Sequence, residues 1–162
     1  MVIGWLPSTA QTEKAARGGC EIYLGKDCAT SERKYPWGQD DPICGQQAVF
    51  ATVAAGCGTN STYAVGAGSA LGQSPYGAYD IAGNAGEWNL DWYNGDFYSK
   101  PAATQKDPVD IEPNPTGYRA INRSCFQNAA NVITVFRASS RGNRDGTNVS
   151  NYGGIRCAKP FQ

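Results

Sequence analysis

Apolar residues in this chain come in short pieces, and one stretch carries a complete helical signature. In Leu6-Pro7-Ser8-Thr9-Ala10-Gln11-Thr12-Glu13-Lys14-Ala15-Ala16-Arg17-Gly18-Gly19, Ser8 can cap free N–H groups and Gln11, three residues on, completes a capping box. The alanines, Glu13 and Lys14 favour a helix interior. Arg17 suits the C-terminal end of the helix dipole, and Gly18 can take a left-handed stop. Asn131-Val132-Ile133-Thr134-Val135-Phe136-Arg137, β-branched and aromatic, predicts a strand, and Tyr152-Gly153-Gly154-Ile155-Arg156-Cys157-Ala158 predicts a last one. Residues 20–75 read as loop with short strands. Val49-Phe50-Ala51 is the clearest apolar piece there, and Tyr35-Pro36-Trp37-Gly38 reads as an aromatic turn packed on the core. Asp107-Pro108, Pro113 and Pro115 argue against a helix in 94–117, which predicts a long surface loop. No internal repeat or low-complexity run interrupts this order.

The stretch from Tyr76 to Tyr93 shows neither a 3.6-residue nor a 2-residue apolar period. It combines aromatic rings with Gly77, Gly83 and Gly86 and the carboxylates Asp80, Glu87 and Asp91. Asp80 and Glu87 flank a glycine turn whose carbonyls, with the two carboxylates, can converge on a hard cation. The same pair can equally serve as cap or salt-bridge partners. Asp91 reads as a surface or turn-capping residue. Trp88, Trp92, Tyr76 and Tyr79 read as core aromatics holding the loop scaffold.

A length of 162 residues fits one domain able to bury about two-thirds of its unfolded surface. Fourteen Lys and Arg balance fourteen Asp and Glu, so no long-range field favours nucleic acid or an anionic membrane. No apolar run has the length of a membrane span, and no stretch reads as a signal peptide. Histidine is absent, which excludes a Ser-His-Asp or Cys-His site and histidine-ligated zinc or iron. The six cysteines, Cys20, Cys28, Cys44, Cys57, Cys125 and Cys157, form no C-x-x-C pair. Disulfides stapling the loops before Tyr63, and with them an extracellular or cell- or virion-surface setting, are one reading; buried thiols are the other. Asn60, Asn122 and Asn148 open glycosylation triplets.

In order along the chain stand "LPSTAQTEKAARGG", "YPWG", "YGAYDIAGNAGEWNLDWY" and an ending with Arg137, Arg141 and "GGIRCA". This order resembles the formylglycine-generating-enzyme, or sulfatase-modifying-factor, family. The resemblance implies an α+β domain with a C-type-lectin-like fold: small antiparallel sheets, few short helices and long irregular loops. It also implies that the chain corresponds to an N-terminally shortened domain, with an unpaired edge or partner-dependent surface where preceding strands would lie. The family's tryptophan in the first motif is Thr12 here. Its structural calcium site maps onto Asp80, Gly83, Ala85 and Glu87, while its second calcium motif has no counterpart between Gly45 and Tyr63.

The enzyme branch holds copper(I) on a cysteine pair, because thiolates suit a soft ion. The resemblance seats that pair at Asn128 and Ile133, so no copper is expected and the domain reads as noncatalytic. A formylglycine-generating-type oxidase acting on a protein cysteine is the alternative, and an accessory domain of a larger secreted assembly is a third reading. The variable proteins of diversity-generating retroelements resemble this chain most. Arg119, Arg137, Arg141, Gly154, Arg156 and Ala158 keep their frame, with irregular polar residues between. That resemblance implies a display surface for a protein or surface-glycan ligand at Arg123, Gln127, Asn128, Asn131, Asn143, Arg144, Asp145, Asn148 and Asn151. An ordinary polar loop would use the same asparagines as turn formers.

Overall fold

The computed structural model describes residues 4–22, 33–52, 54–67, 71–122, 125–127, 131–148 and 150–159. Helix α1 (Thr9–Arg17) starts at Ser8 with the capping box in place: the Gln11 N–H donates to Ser8 Oγ at 3.3 Å, and the Ser8 N–H donates to Gln11 Oε1 at 3.0 Å. Gly18 ends the helix at φ 86° with an extended ψ of 158°, so the stop is a positive-φ turn rather than the left-handed helical one. Thr9, Thr12 and Ala16 form the buried face.

Among the described residues four strands make one sheet in the order β3-β2-β1-β4, where β1 is Gly86–Trp92, β2 Tyr118–Asn122, β3 Gly142–Asp145 and β4 Gly153–Gly154. β1 pairs antiparallel with β2, with Trp88 opposite Ile121, and parallel with β4. β2 pairs antiparallel with β3, with Ala120 opposite Asn143. The central strand lies inside the stretch that showed no apolar period, and the reason is instructive. Its alternation is inverted: Glu87, Asn89 and Asp91 are buried, while Trp88, Leu90 and Trp92 are partly exposed. Polar groups can point inward because each finds a partner. Thr12 Oγ1 donates to Asn89 at 2.7 Å, and the Thr9 and Asp110 N–H groups donate to Asp91 at 2.8 and 3.1 Å. Asp91 is therefore a buried cap for α1, not a surface residue.

The core gathers Tyr35, Ala48, Phe50, Ala82 and Phe136, with Trp37, Cys44, Val132 and Val135 packed against it. Tyr35 and Pro36 are fully buried, as the aromatic-turn reading expects, and the Tyr35 hydroxyl donates to the Ile133 carbonyl at 3.0 Å. The strand predicted over 131–137 is instead a single helical turn, α2 (Val132–Val135). Asn131 enters it at φ 58°, and its carbonyl accepts from the Thr134 and Val135 N–H groups. Packing of Val132, Val135 and Phe136 on the core overrides their β propensity. The last predicted strand shrinks to Gly153–Gly154, with Ala158 in an isolated bridge to Trp5. The long segment after β1 carries two short 3₁₀ turns, Phe97–Ser99 and Pro101–Thr104.

Cys44 and Cys57 form a disulfide, and Cys20 is disulfide-bonded as well. Cys125, buried, and Cys157, exposed, remain thiols. A loop disulfide fits an extracellular protein. Among the described residues, no helix is long and apolar enough to cross a membrane.

Candidate functional site

Where β1, β2 and β3 begin or end together, they frame an open cavity of about 430 Å³. Gly86, Ile121 and Asn122 supply its sheet wall, and Asn143 and Arg144 on β3 supply the side. Cys125 and Gln127, Asn131 and Val135, and Tyr152 close the rest. The geometry depends on close backbone approach. The Gly86 N–H donates to the Tyr152 carbonyl at 2.8 Å, and a Cβ on Gly86 would stand 3.1 Å from the Asn122 carbonyl oxygen.

The 125–127 segment is fixed by its backbone. The Phe126 N–H donates to the Asn84 carbonyl at 2.8 Å, and the Phe126 carbonyl accepts from the Gly56 N–H at 2.8 Å. Asn84 is itself buried at φ 63° and exchanges side-chain bonds with the backbone of Tyr63 in both directions. Asn84 is thus the hub that seats one cavity wall. The sequence reading passed over it, although an asparagine beside Gly83 in a turn is a signal for positive φ.

The structure brings four of the sequence-predicted ligand residues into this cavity: Gln127, Asn131, Asn143 and Arg144. Asp145, Asn148 and Asn151 lie outside its lining and are exposed, Asp145 at the end of β3 and the two asparagines in the turns after it. Asp145 accepts from the Thr147 N–H at 2.8 Å and the Thr147 hydroxyl at 2.7 Å, and these bonds hold its carboxyl below the usual range. Arg123 and Asn128 fall outside the described residues. Tyr152 and Cys125 join the cavity without having been singled out for it. The Arg144 guanidinium lies over the Tyr152 ring at 4.2 Å and donates to Ser150 Oγ at 2.8 Å.

The predicted cation-binding turn is built around a different positive charge. Arg156 donates to both oxygens of buried Glu87 and to the Tyr79 carbonyl. Burial pushes the Glu87 carboxyl above its ordinary range, and Arg156 pulls it back. Asp80, buried at φ 56°, accepts from the Gly66 N–H at 2.6 Å. Gly83 folds against Val49, where a Cβ would meet backbone at 2.7 Å. Among the described residues no cluster of three or more His, Cys, Asp or Glu could hold a metal. Both oxygens of Glu87 accept from Arg156, so a calcium ion held by Asp80, Gly83, Ala85 and Glu87 would compete with that guanidinium.

The sequence pattern of the sulfatase-modifying factor enzyme 1-like domain matches residues 3–161. The chain belongs to this family. Relatives include a formylglycine-generating enzyme from Thermomonospora curvata, 29% identical over 161 residues, covering 94% of this chain and 48% of that protein. The serine/threonine-protein kinase pkn1 of Chlamydia pneumoniae is 32% identical over 154 residues, covering 95% of this chain but 20% of that protein. The chain thus spans half or less of the length of these relatives. Its fold is that of PvdO from Pseudomonas aeruginosa (TM-score 0.65, 22% identity, 99% of this chain and 54% of that one). It is also that of Treponema denticola variable protein 1 (TM-score 0.63, 21% identity, 97% and 48%). The α+β sulfatase-modifying-factor-type fold read from the motifs is the fold of this domain.

Proposed function

We propose that this domain is a noncatalytic ligand-binding module whose polar cavity at the β1–β2–β3 corner receives part of a protein or surface-glycan ligand. The observation that carries this is the cavity itself. Gln127, Asn131, Asn143 and Arg144 come from three separate stretches of chain and converge on one concave wall. None belongs to the hydrophobic core. Side chains on a stiff frame that the core does not need are suited to recognition. The likeness to a variable protein fits this reading.

The reading assigns no catalysis. Ile133, at one of the two positions matched to the copper-binding thiols, is an exposed isoleucine on α2. Among the described residues Cys125 is the sole cysteine lining the cavity, and one thiolate does not make the two-coordinate site that copper(I) favours. No calcium is assigned either, since Arg156 supplies the charge facing Glu87.

The similarity to a formylglycine-generating enzyme makes the competing test direct. Copper-loaded protein is incubated with a cysteine-bearing sulfatase peptide under oxygen and the product mass is read. An unchanged peptide is expected; loss of the thiol with gain of an aldehyde contradicts the proposal.

A further inference from the structure

Among the described residues the other half-buried arginines near the sheet have evident neighbours. Arg141 pairs with Glu13, Arg156 pairs with Glu87, and Arg119 lies over the Trp92 ring. Arg144 differs. It lines the cavity, forms no ion pair among the described residues, and spends one donor on Ser150 Oγ. A guanidinium has five N–H donors in a fixed fork, so most of them stay uncommitted. Among the described residues no aspartate or glutamate lines the cavity. Asp145, the next residue, is exposed and is engaged by Thr147 in the turn. Glu87, next to the lining residue Gly86, is neutralised by Arg156.

Stacking on Tyr152 at 4.2 Å and the bond to Ser150 hold the guanidinium in place. The ordering cost of a bidentate contact is therefore met before a ligand arrives. Around it stand the amides of Gln127, Asn131 and Asn143, which donate and accept as a peptide backbone does, and the aliphatic Ile121 and Val135.

Resting on the binding-module reading above, we propose that this cavity takes an acidic peptide segment of a protein partner, with a carboxylate seated on Arg144. A carboxylate matches the guanidinium fork bidentately. The amides are placed for the flanking peptide groups, and the apolar wall for an aliphatic stem.

The experiment is selection from a random peptide display library on the immobilised domain, repeated with Arg144→Gln and Arg144→Lys, with circular dichroism of each variant to confirm folding. Enriched sequences should carry Asp or Glu at a fixed place. A synthetic peptide of the winning sequence should bind about ten- to a hundredfold more weakly to R144Q, with R144K retaining part of the affinity. Mutating its key acid to the amide should cost as much on the wild type and little on R144Q. Should R144Q misfold, the peptide-side substitution alone decides the matter. Enrichment of neutral sequences, or affinity unchanged in R144Q, overturns the proposal while leaving the cavity a binding site. Binding of a uronate- or sialate-bearing oligosaccharide with no acidic peptide enriched overturns it as well. Copper-dependent turnover of a cysteine peptide instead overturns the reading beneath it.

Discussion

Arg156 grips both carboxylate oxygens of Glu87: its Nε donates to Oε2 at 2.8 Å and an Nη donates to Oε1 at 2.7 Å. The same guanidinium also donates to the Tyr79 carbonyl, so it ties β1 to the turn before it. Arg156→Ala leaves a buried carboxylate without its cation. The expected loss is about 2–4 kcal/mol, below that of a fully buried pair because Arg156 keeps some solvent contact. Urea unfolding measures it. Melting curves in calcium and in a chelator should superimpose for the wild type; a clear calcium-dependent rise would show that a metal displaces Arg156.

Asp91 caps α1 from the sheet, taking the Thr9 and Asp110 N–H groups on its two oxygens. Burial raises its carboxyl above the ordinary range, and those backbone bonds oppose the rise. Asp91→Asn turns an amide toward one of these donors. A buried polar group left unmatched costs about 1–3 kcal/mol. Chemical denaturation of D91N should report that loss, and amide exchange should localise it to the first turn of α1.

How much of this was legible in advance depends on where each residue's partner lies. The α1 signature was readable because Ser8, Gln11 and Gly18 act within a few residues of one another. The Tyr35–Gly38 turn was readable for the same reason. β1 was missed because its inward residues are polar, and their partners Thr9, Thr12, Asp110 and Arg156 are distant in sequence. The 131–137 error has the opposite cause: local β-branched character was outweighed by tertiary packing around Phe136. The motifs placed the cavity residues Asn143 and Arg144 in the correct segment. That Tyr152 would stack on Arg144 was not legible, because β3 and β4 lie at opposite edges of the sheet and the contact is made by the chain that crosses the sheet end between them.

Asp145 and Thr147 offer a pH test. Thr147 holds the Asp145 carboxyl below its usual value of 3.8 through its N–H and hydroxyl. A depressed carboxylate pKa means the unfolded chain binds the proton more readily. The turn's contribution is therefore present above the unfolded value and is lost as pH falls through the lower folded one. Carboxyl NMR titration should find Asp145 below 3.8, and Thr147→Ala should move it part of the way back, since the backbone bond remains.

The Cys44–Cys57 bridge closes a loop with a sequence separation of 13. A loop of this length contributes about 3 kcal/mol by restricting the unfolded chain. The paired Cys44→Ala, Cys57→Ala variant should lose about that much in urea, with the cavity at the sheet corner retained.

The central claim is that the cavity wall serves recognition and not folding. Replacing Gln127, Asn143 and Arg144 by serine and Asn131 by glycine, which keeps its positive φ, tests this in one thermal melt. The account predicts a melting temperature within about 5 °C of the wild type, since each of these side chains lies outside the core. A fall of about 15 °C or more, or loss of the folded baseline, would mark these residues as structural and contradict it.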